Sequence, residues 1–137
     1  MTATAVAVET VSSFKSRGYF RRLLAAASYS SSGLAAAWRH EASFRFEVVL
    51  GLLLVPVAAW LAPTTLQALV LVGAIVFVWL VELVNSAIET LADAVSLESH
   101  PLIGRAKDIG SAAVLLSLLL AAGVWLAVLW PVLTGRH

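Results

Sequence analysis

Three long apolar runs, separated by short polar stretches, dominate this chain, and a segment with helical spacing precedes them. The first run, Phe44 to Leu61, is interrupted only near its start by Arg45 and Glu47. Pro63-Thr64-Thr65 then makes a turn just long enough for a hairpin between antiparallel helices. The second run is apolar from Leu66 to Val81 and continues in helical pattern through Glu82, Asn85 and Glu89 to Asp93. The third runs from Ile109 to Leu129, with Trp125 and Trp130 placed as an interfacial belt. A bilayer core about 30 Å thick needs roughly 20 apolar residues, so the pattern predicts membrane-crossing helices over about 43–62, 66–93 and 109–130. The second would be about 40 Å long at 1.5 Å per residue, so its last turns leave the membrane.

Between Phe20 and Arg39, the residues Phe20, Leu23, Leu24, Ala27, Leu34 and Trp38 fall within a sector of roughly 100°. Arg21, Ser28, Ser32 and Arg39 lie opposite. That pattern predicts an amphipathic helix over about 20–39, lying in the interface with its basic side to the headgroups. The Ser30–Gly33 stretch is a poor helix former and a candidate break. Residues 1–19 are small and polar and are expected to be a disordered lead-in, and residues 134–137 a short tail. No basic start followed by a 7–15-residue apolar stretch occurs there, so no secretory signal is expected. The expected fold is therefore an all-α membrane protein, with one unit over residues 20–133.

Composition agrees: 61% of the 137 residues are hydrophobic and only 12% charged, far from the balance of soluble domains. The net charge of +1 identifies no partner, and nucleic acid is not expected as one. Its distribution is informative, because six of the nine basic residues (Lys15, Arg17, Arg21, Arg22, Arg39 and Arg45) fall in the first third. The positive-inside rule then places the amino end and the loop bearing Arg105 and Lys107 in the cytoplasm, and the carboxyl end across the membrane. Without cysteine, neither a disulfide nor a thiolate metal site is available.

Ionisable residues at membrane depth are costly and point to function. Glu82, Glu89 and Asp93 fall within about 40° of one another on a helix, with Asn85 about 60° to one side, so one face carries an acidic stripe. Glu82 follows fourteen uncharged, overwhelmingly apolar residues without a break. Glu98, Arg105, Lys107 and Asp108 come next in sequence, and Glu41 and Glu47 flank Arg45 where the first span begins. Carboxylates beside Lys and Arg at a membrane surface suit a divalent cation carrying phosphates. Mg²⁺ takes one or two carboxylates with phosphate oxygens and water. A further carboxylate can accept the proton of an attacking hydroxyl. Plainer readings stand beside this one. Glu41 and Arg45 at i, i+4 also suit a helix-surface ion pair. Arg105, Lys107, Asp108, Glu98 and His100 also suit a solvated loop. No Walker-type or protein-kinase signature occurs, and the three histidines form no zinc set.

The stretch Glu82-Leu-Val-Asn85-Ser86-Ala-Ile-Glu89-Thr-Leu-Ala-Asp93, followed by Gly104-Arg105-Ala-Lys107-Asp108-Ile-Gly110-Ser111-Ala-Ala, closely resembles the prokaryotic diacylglycerol kinase family. Ala36-Ala37-Trp38-Arg39-His40-Glu41-Ala-Ser43-Phe44-Arg45 and Tyr29-Ser30 match as well, so the resemblance covers roughly residues 20–132. It implies a homotrimer with active sites shared between protomers, three spans and a surface helix in each. It also implies transfer of the ATP γ-phosphoryl to the primary hydroxyl of diacylglycerol, giving phosphatidic acid, with Mg²⁺ accompanying the nucleotide at a bacterial inner membrane. On matching positions, Glu82 would be the general base, and Glu41 and Glu89 would hold the cation. Asn85 and Lys107 would contact phosphates, with Arg22, Tyr29, Glu98, Ser99, His100 and Asp108 around the nucleotide. Arg22, Trp38, Ser43, Phe44, Arg45, Trp60 and Ser111 would line the lipid path to Glu82. The chain departs from the family pattern at Ala25 and Ser32, where lysines are usual, and at Ser99 and Pro101.

Other functions compete with this one. Undecaprenol kinase uses the same scaffold. A small ion or drug transporter would use Glu82 as an intramembrane carrier. A noncatalytic assembly subunit would pair its carboxylates with Lys or Arg in the oligomer. The acidic stripe leads toward a segment that also holds Lys107 and Asp108. That favours phosphate chemistry over transport.

Overall fold

The computed structural model describes residues 3–95 and 100–135. These form four helices: α1 (Ala3–His40), α2 (Ala42–Leu61), α3 (Thr65–Val95) and α4 (Pro101–Leu133). Among the described residues there is no strand. The chain divides into two units, Met1–Arg39 and His40–His137.

In the first unit α1 is continuous and takes in the segment expected to be a surface helix. It begins at Ala3, well ahead of the expected boundary at Phe20, and no proline interrupts it. The candidate break at Ser30–Gly33 does not occur. Ser31 Oγ donates to the Ser28 carbonyl at 2.8 Å, so its hydroxyl is satisfied within the helix instead of competing with it.

The second unit holds the three helices long and apolar enough to cross a membrane: Ala42–Leu61, Thr65–Val95 and Pro101–Val132. The expected spans are all present. The α2–α3 turn is held by a reciprocal cap, in which Gln67 N donates to Thr64 Oγ1 at 3.2 Å and Thr64 Oγ1 donates to Gln67 Oε1 at 3.0 Å. Here a threonine followed three residues later by glutamine closes the helix start.

One boundary differs from expectation. α4 starts at Pro101 instead of 109, so Arg105, Lys107 and Asp108 lie in its first turns and not in a loop. His100 caps it, with Nδ1 accepting from Leu102 N at 3.2 Å. Pro101 follows, with a fixed backbone angle suited to a helix start. An apolar run marks where a helix enters lipid, whereas capping residues mark where the helix begins.

α3 is the middle helix, packed extensively against both α2 and α4. Its buried residues Leu71, Ile75, Val78, Glu82, Asn85, Ser86 and Ala92 recur at three- and four-residue spacing along one stripe. The stripe is apolar at Leu71, Ile75 and Val78, polar at Glu82, Asn85 and Ser86, and ends on Ala92. Two indoles tie the neighbouring helices together: Trp79 Nε1 donates to the Glu47 carbonyl at 3.0 Å, and Trp125 Nε1 to the Leu71 carbonyl at 3.3 Å. Trp125, expected only as part of an interfacial belt, thus also serves as a strut between α4 and α3. Where α2 meets α3, Gly51 leaves room for Trp79 and Ile75, in the way small residues let membrane helices approach.

Candidate active site

Because α2 and α4 both pack chiefly on α3, a groove remains between them with α3 as its floor. Its polar part is a cleft of about 530 Å³. Each helix contributes a face with helical spacing. Ser43, Glu47 and Leu50 come from α2, Glu82, Asn85 and Glu89 from α3, and Ser111, Val114 and Leu118 from α4. Phe46 and Glu41 complete the rim.

Glu82 is the most buried of these carboxylates, with only 4% of its surface exposed. It lies about 26 Å along the helix axis from Thr65, within the reach of a 30 Å core. Asn85 is next on the same stripe and donates from Nδ2 to Glu89 Oε1 at 2.9 Å. Its Oδ1 faces Gly110 of α4 so closely that a Cβ there would overlap it. Glu41 sits at the N-cap of α2, yet its side chain makes no capping hydrogen bond. Its carboxylate is therefore not consumed by the helix end and turns to the cleft.

Among the described residues, four carboxylates and no lysine or arginine line the cleft. Such a set in an apolar surround calls for compensating positive charge. No three carboxylates or histidines among the described residues converge into a preformed metal cage. The donors do fit a hard cation arriving with its own phosphate ligands, which needs only one or two carboxylates from protein. Asn85 Oδ1 and Glu47 Oε2 are buried oxygens without a hydrogen-bond partner among the described residues. Asn85 Oδ1 is turned to Gly110, and Glu47 Oε2 is a further donor of the same hard type.

The cleft unites Glu41, Ser43, Glu82, Asn85, Glu89 and Ser111 from the residues expected at the site. Other expected residues are not among its lining. Lys107 Nζ pairs with Asp93 Oδ1 at 2.6 Å, so the lower end of the acidic stripe is engaged with a cation of α4. His100 serves as the α4 cap, and neither it nor Asp108 lines the cleft. Phe44 is buried, whereas Trp60 is 82% exposed far along α2. Arg45 is on α2, and Arg22, Tyr29 and Trp38 are on α1, in the other unit. Glu98 and Ser99 lie outside the described residues. Two contributors had no expected role: Glu47, a wall of the cleft, and Gly110, the seat of Asn85. The one sequence signal for the first was its charge at the start of an apolar run.

The fold and cleft define a helical membrane protein with an acidic site set into its spans. A sequence profile of the prokaryotic diacylglycerol kinases matches residues 28–129. The chain is 46% identical over 111 residues to the diacylglycerol kinase of Escherichia coli (strain K12), covering 81% of this chain and 91% of that one. It is 42% identical over 118 residues to the diacylglycerol kinase of Pseudomonas aeruginosa, covering 86% and 96%. With the diacylglycerol kinase of Haemophilus influenzae it shares 37% identity over 108 residues, covering 79% and 92%. The chain belongs to the prokaryotic diacylglycerol kinase family. Its class is accordingly that of a membrane lipid kinase.

Proposed function

We propose that the cleft transfers the γ-phosphoryl group of ATP directly to the primary hydroxyl of diacylglycerol, giving phosphatidic acid and ADP. The observation that carries this reading is the burial of Glu82 on the stripe of α3 that faces the other acidic groups of the cleft. A carboxylate at that depth reaches a hydroxyl carried by a lipid that never leaves the membrane. Glu82 accepts the hydroxyl proton as the oxygen attacks phosphorus, and the leaving oxygen departs with ADP. Glu41 and Glu89 would hold the divalent cation, taken to be Mg²⁺, which offsets phosphate charge during transfer. Asn85, held between Glu89 and Gly110, would contact the phosphates, as the family resemblance implies. Lys107 exchanges Asp93 for a phosphate oxygen when nucleotide binds. The further nucleotide and lipid contacts, and a homotrimer with shared sites, are those the family resemblance implies. The basic residues of the amino end, with Arg105 and Lys107 near the start of α4, support a cytoplasmic position for both, where ATP is, and a periplasmic carboxyl end.

The test is transfer of radiolabelled γ-phosphoryl in detergent micelles, with diacylglycerol and undecaprenol offered side by side. Labelled phosphatidic acid that requires Mg²⁺ is expected. Label on undecaprenol alone would reassign the acceptor, and label on neither would overturn the kinase reading.

A further inference from the structure

The groove does not end with the polar cleft. Glu47, Leu50 and Leu118 line that cleft and also a second cavity, of about 330 Å³, farther along the same helices. Its walls are apolar, with Glu47 the one charged contributor among the described residues. Gly51 and Leu54 face it from α2, Ile75 from α3, and Ala121 and Ala122 from α4. Trp79 forms one side and Trp125 the end away from Glu47.

Both indoles are fixed. Each Nε1 is tied to a backbone carbonyl, of Glu47 and Leu71 respectively. Trp79 is also wedged against Gly51, where an added Cβ would lie 2.5 Å from its ring and 2.6 Å from Ile75 Cγ2. The hollow exists because α4 presents two alanines opposite these rings, and neither ring is free to swing in and fill it.

We infer that this cavity is an acyl-chain slot, taking one chain of the lipid alcohol whose hydroxyl lies at Glu82. The inference rests on the proposed kinase reading of the cleft and adds to it the basis of acceptor choice. A chain drawn from lipid into an apolar slot gains nothing by hydrophobic transfer, because lipid tails are as apolar as the walls. The slot therefore selects by shape. An unbranched acyl chain lies along the alanines, whereas a methyl-branched polyprenyl chain collides with rings that cannot move aside. Trp125 closes the slot and limits how far a chain extends into it.

The experiment uses the full chain in mixed micelles. It compares kcat/KM for diacylglycerol and for a polyprenol in the unaltered protein and in Trp125→Ala. Opening the end of the slot is expected to raise the polyprenol-to-diacylglycerol ratio about tenfold, the low end of what an apolar pocket discriminates, with KM for MgATP unchanged. An unchanged ratio would overturn the slot. A second measurement needs no variant: a diacylglycerol with a diazirine at the end of one chain is photolysed on the unaltered protein. Label is expected on Ala121, Ala122 or Trp125. Label confined to outward residues such as Leu116 and Leu120 would refute the assignment. Absence of transfer to any lipid alcohol would defeat the kinase reading itself, and the photolabel would still decide whether a chain occupies the slot.

Discussion

Asn85 of α3 lies against Gly110 of α4 so closely that no side chain fits at Gly110 without displacing it. The same amide donates to Glu89 at 2.9 Å. One glycine thus controls the position of an asparagine and, through it, of a carboxylate assigned to the cation. The contact also sets how near α4 comes to the polar half of the α3 stripe.

Gly110→Ala is expected to push Asn85 aside and break its bond to Glu89. Overpacking of this kind costs about 1–3 kcal/mol. Turnover should fall more than stability does, because the displaced groups line the cleft. Thermal denaturation in detergent, beside steady-state kinetics, separates the two. A variant that melts early yet turns over normally would show that Gly110 serves packing alone.

Glu82→Gln keeps the shape of the side chain and removes its capacity to take a proton. A general base contributes about 10² to 10⁴ in rate, so a loss of that order is expected with ATP binding still measurable. Near-normal turnover would defeat the assignment of Glu82 as base.

The spans were legible because runs of apolar residues must cross lipid, and Glu82 because a charge after fourteen uncharged residues is costly there. The start of α4 was not. Its cap at His100 and its charged first turns lie beyond the apolar run, where only capping geometry marks the helix. Glu47 was visible as a charge but not as a wall of the cleft. Which side of α2 faces α3 is decided by the fit of Trp79 against Gly51, a tertiary contact that periodicity along one helix does not contain. Gly110 was visible only as part of the stretch that carries the resemblance, since its constraint comes from a residue on another element. Of the residues the resemblance names, Glu41, Ser43, Glu82, Asn85, Glu89 and Ser111 line one cleft, whereas Trp60 is exposed and is not part of its lining.

Glu41→Gln and Glu89→Gln each remove one anionic oxygen ligand from the proposed cation. The Mg²⁺ concentration giving half-maximal activity should rise, by at least the roughly tenfold that losing even an outer partner costs a metal site. Magnesium titrations at saturating ATP and lipid measure this directly. Glu89→Gln should show the larger effect, because it also takes the charge from the oxygen that accepts from Asn85. An unchanged magnesium requirement in both variants would count against them as ligands.

The Lys107–Asp93 pair separates a structural role from a chemical one. Both side chains are partly exposed, at 36% and 54%, and solvent-exposed pairs contribute little to stability. Asp93→Asn should therefore barely move the denaturation midpoint, and it leaves Lys107 charged and available to phosphate. Its KM for ATP is expected to stay level or fall. Lys107→Met removes the cation and a charge-assisted hydrogen bond, so KM for ATP should rise about tenfold or more at nearly the same stability. If both variants raise KM alike, the pair acts as a unit that shapes the nucleotide site. The opposite response of the two variants is what the exchange of Asp93 for phosphate requires.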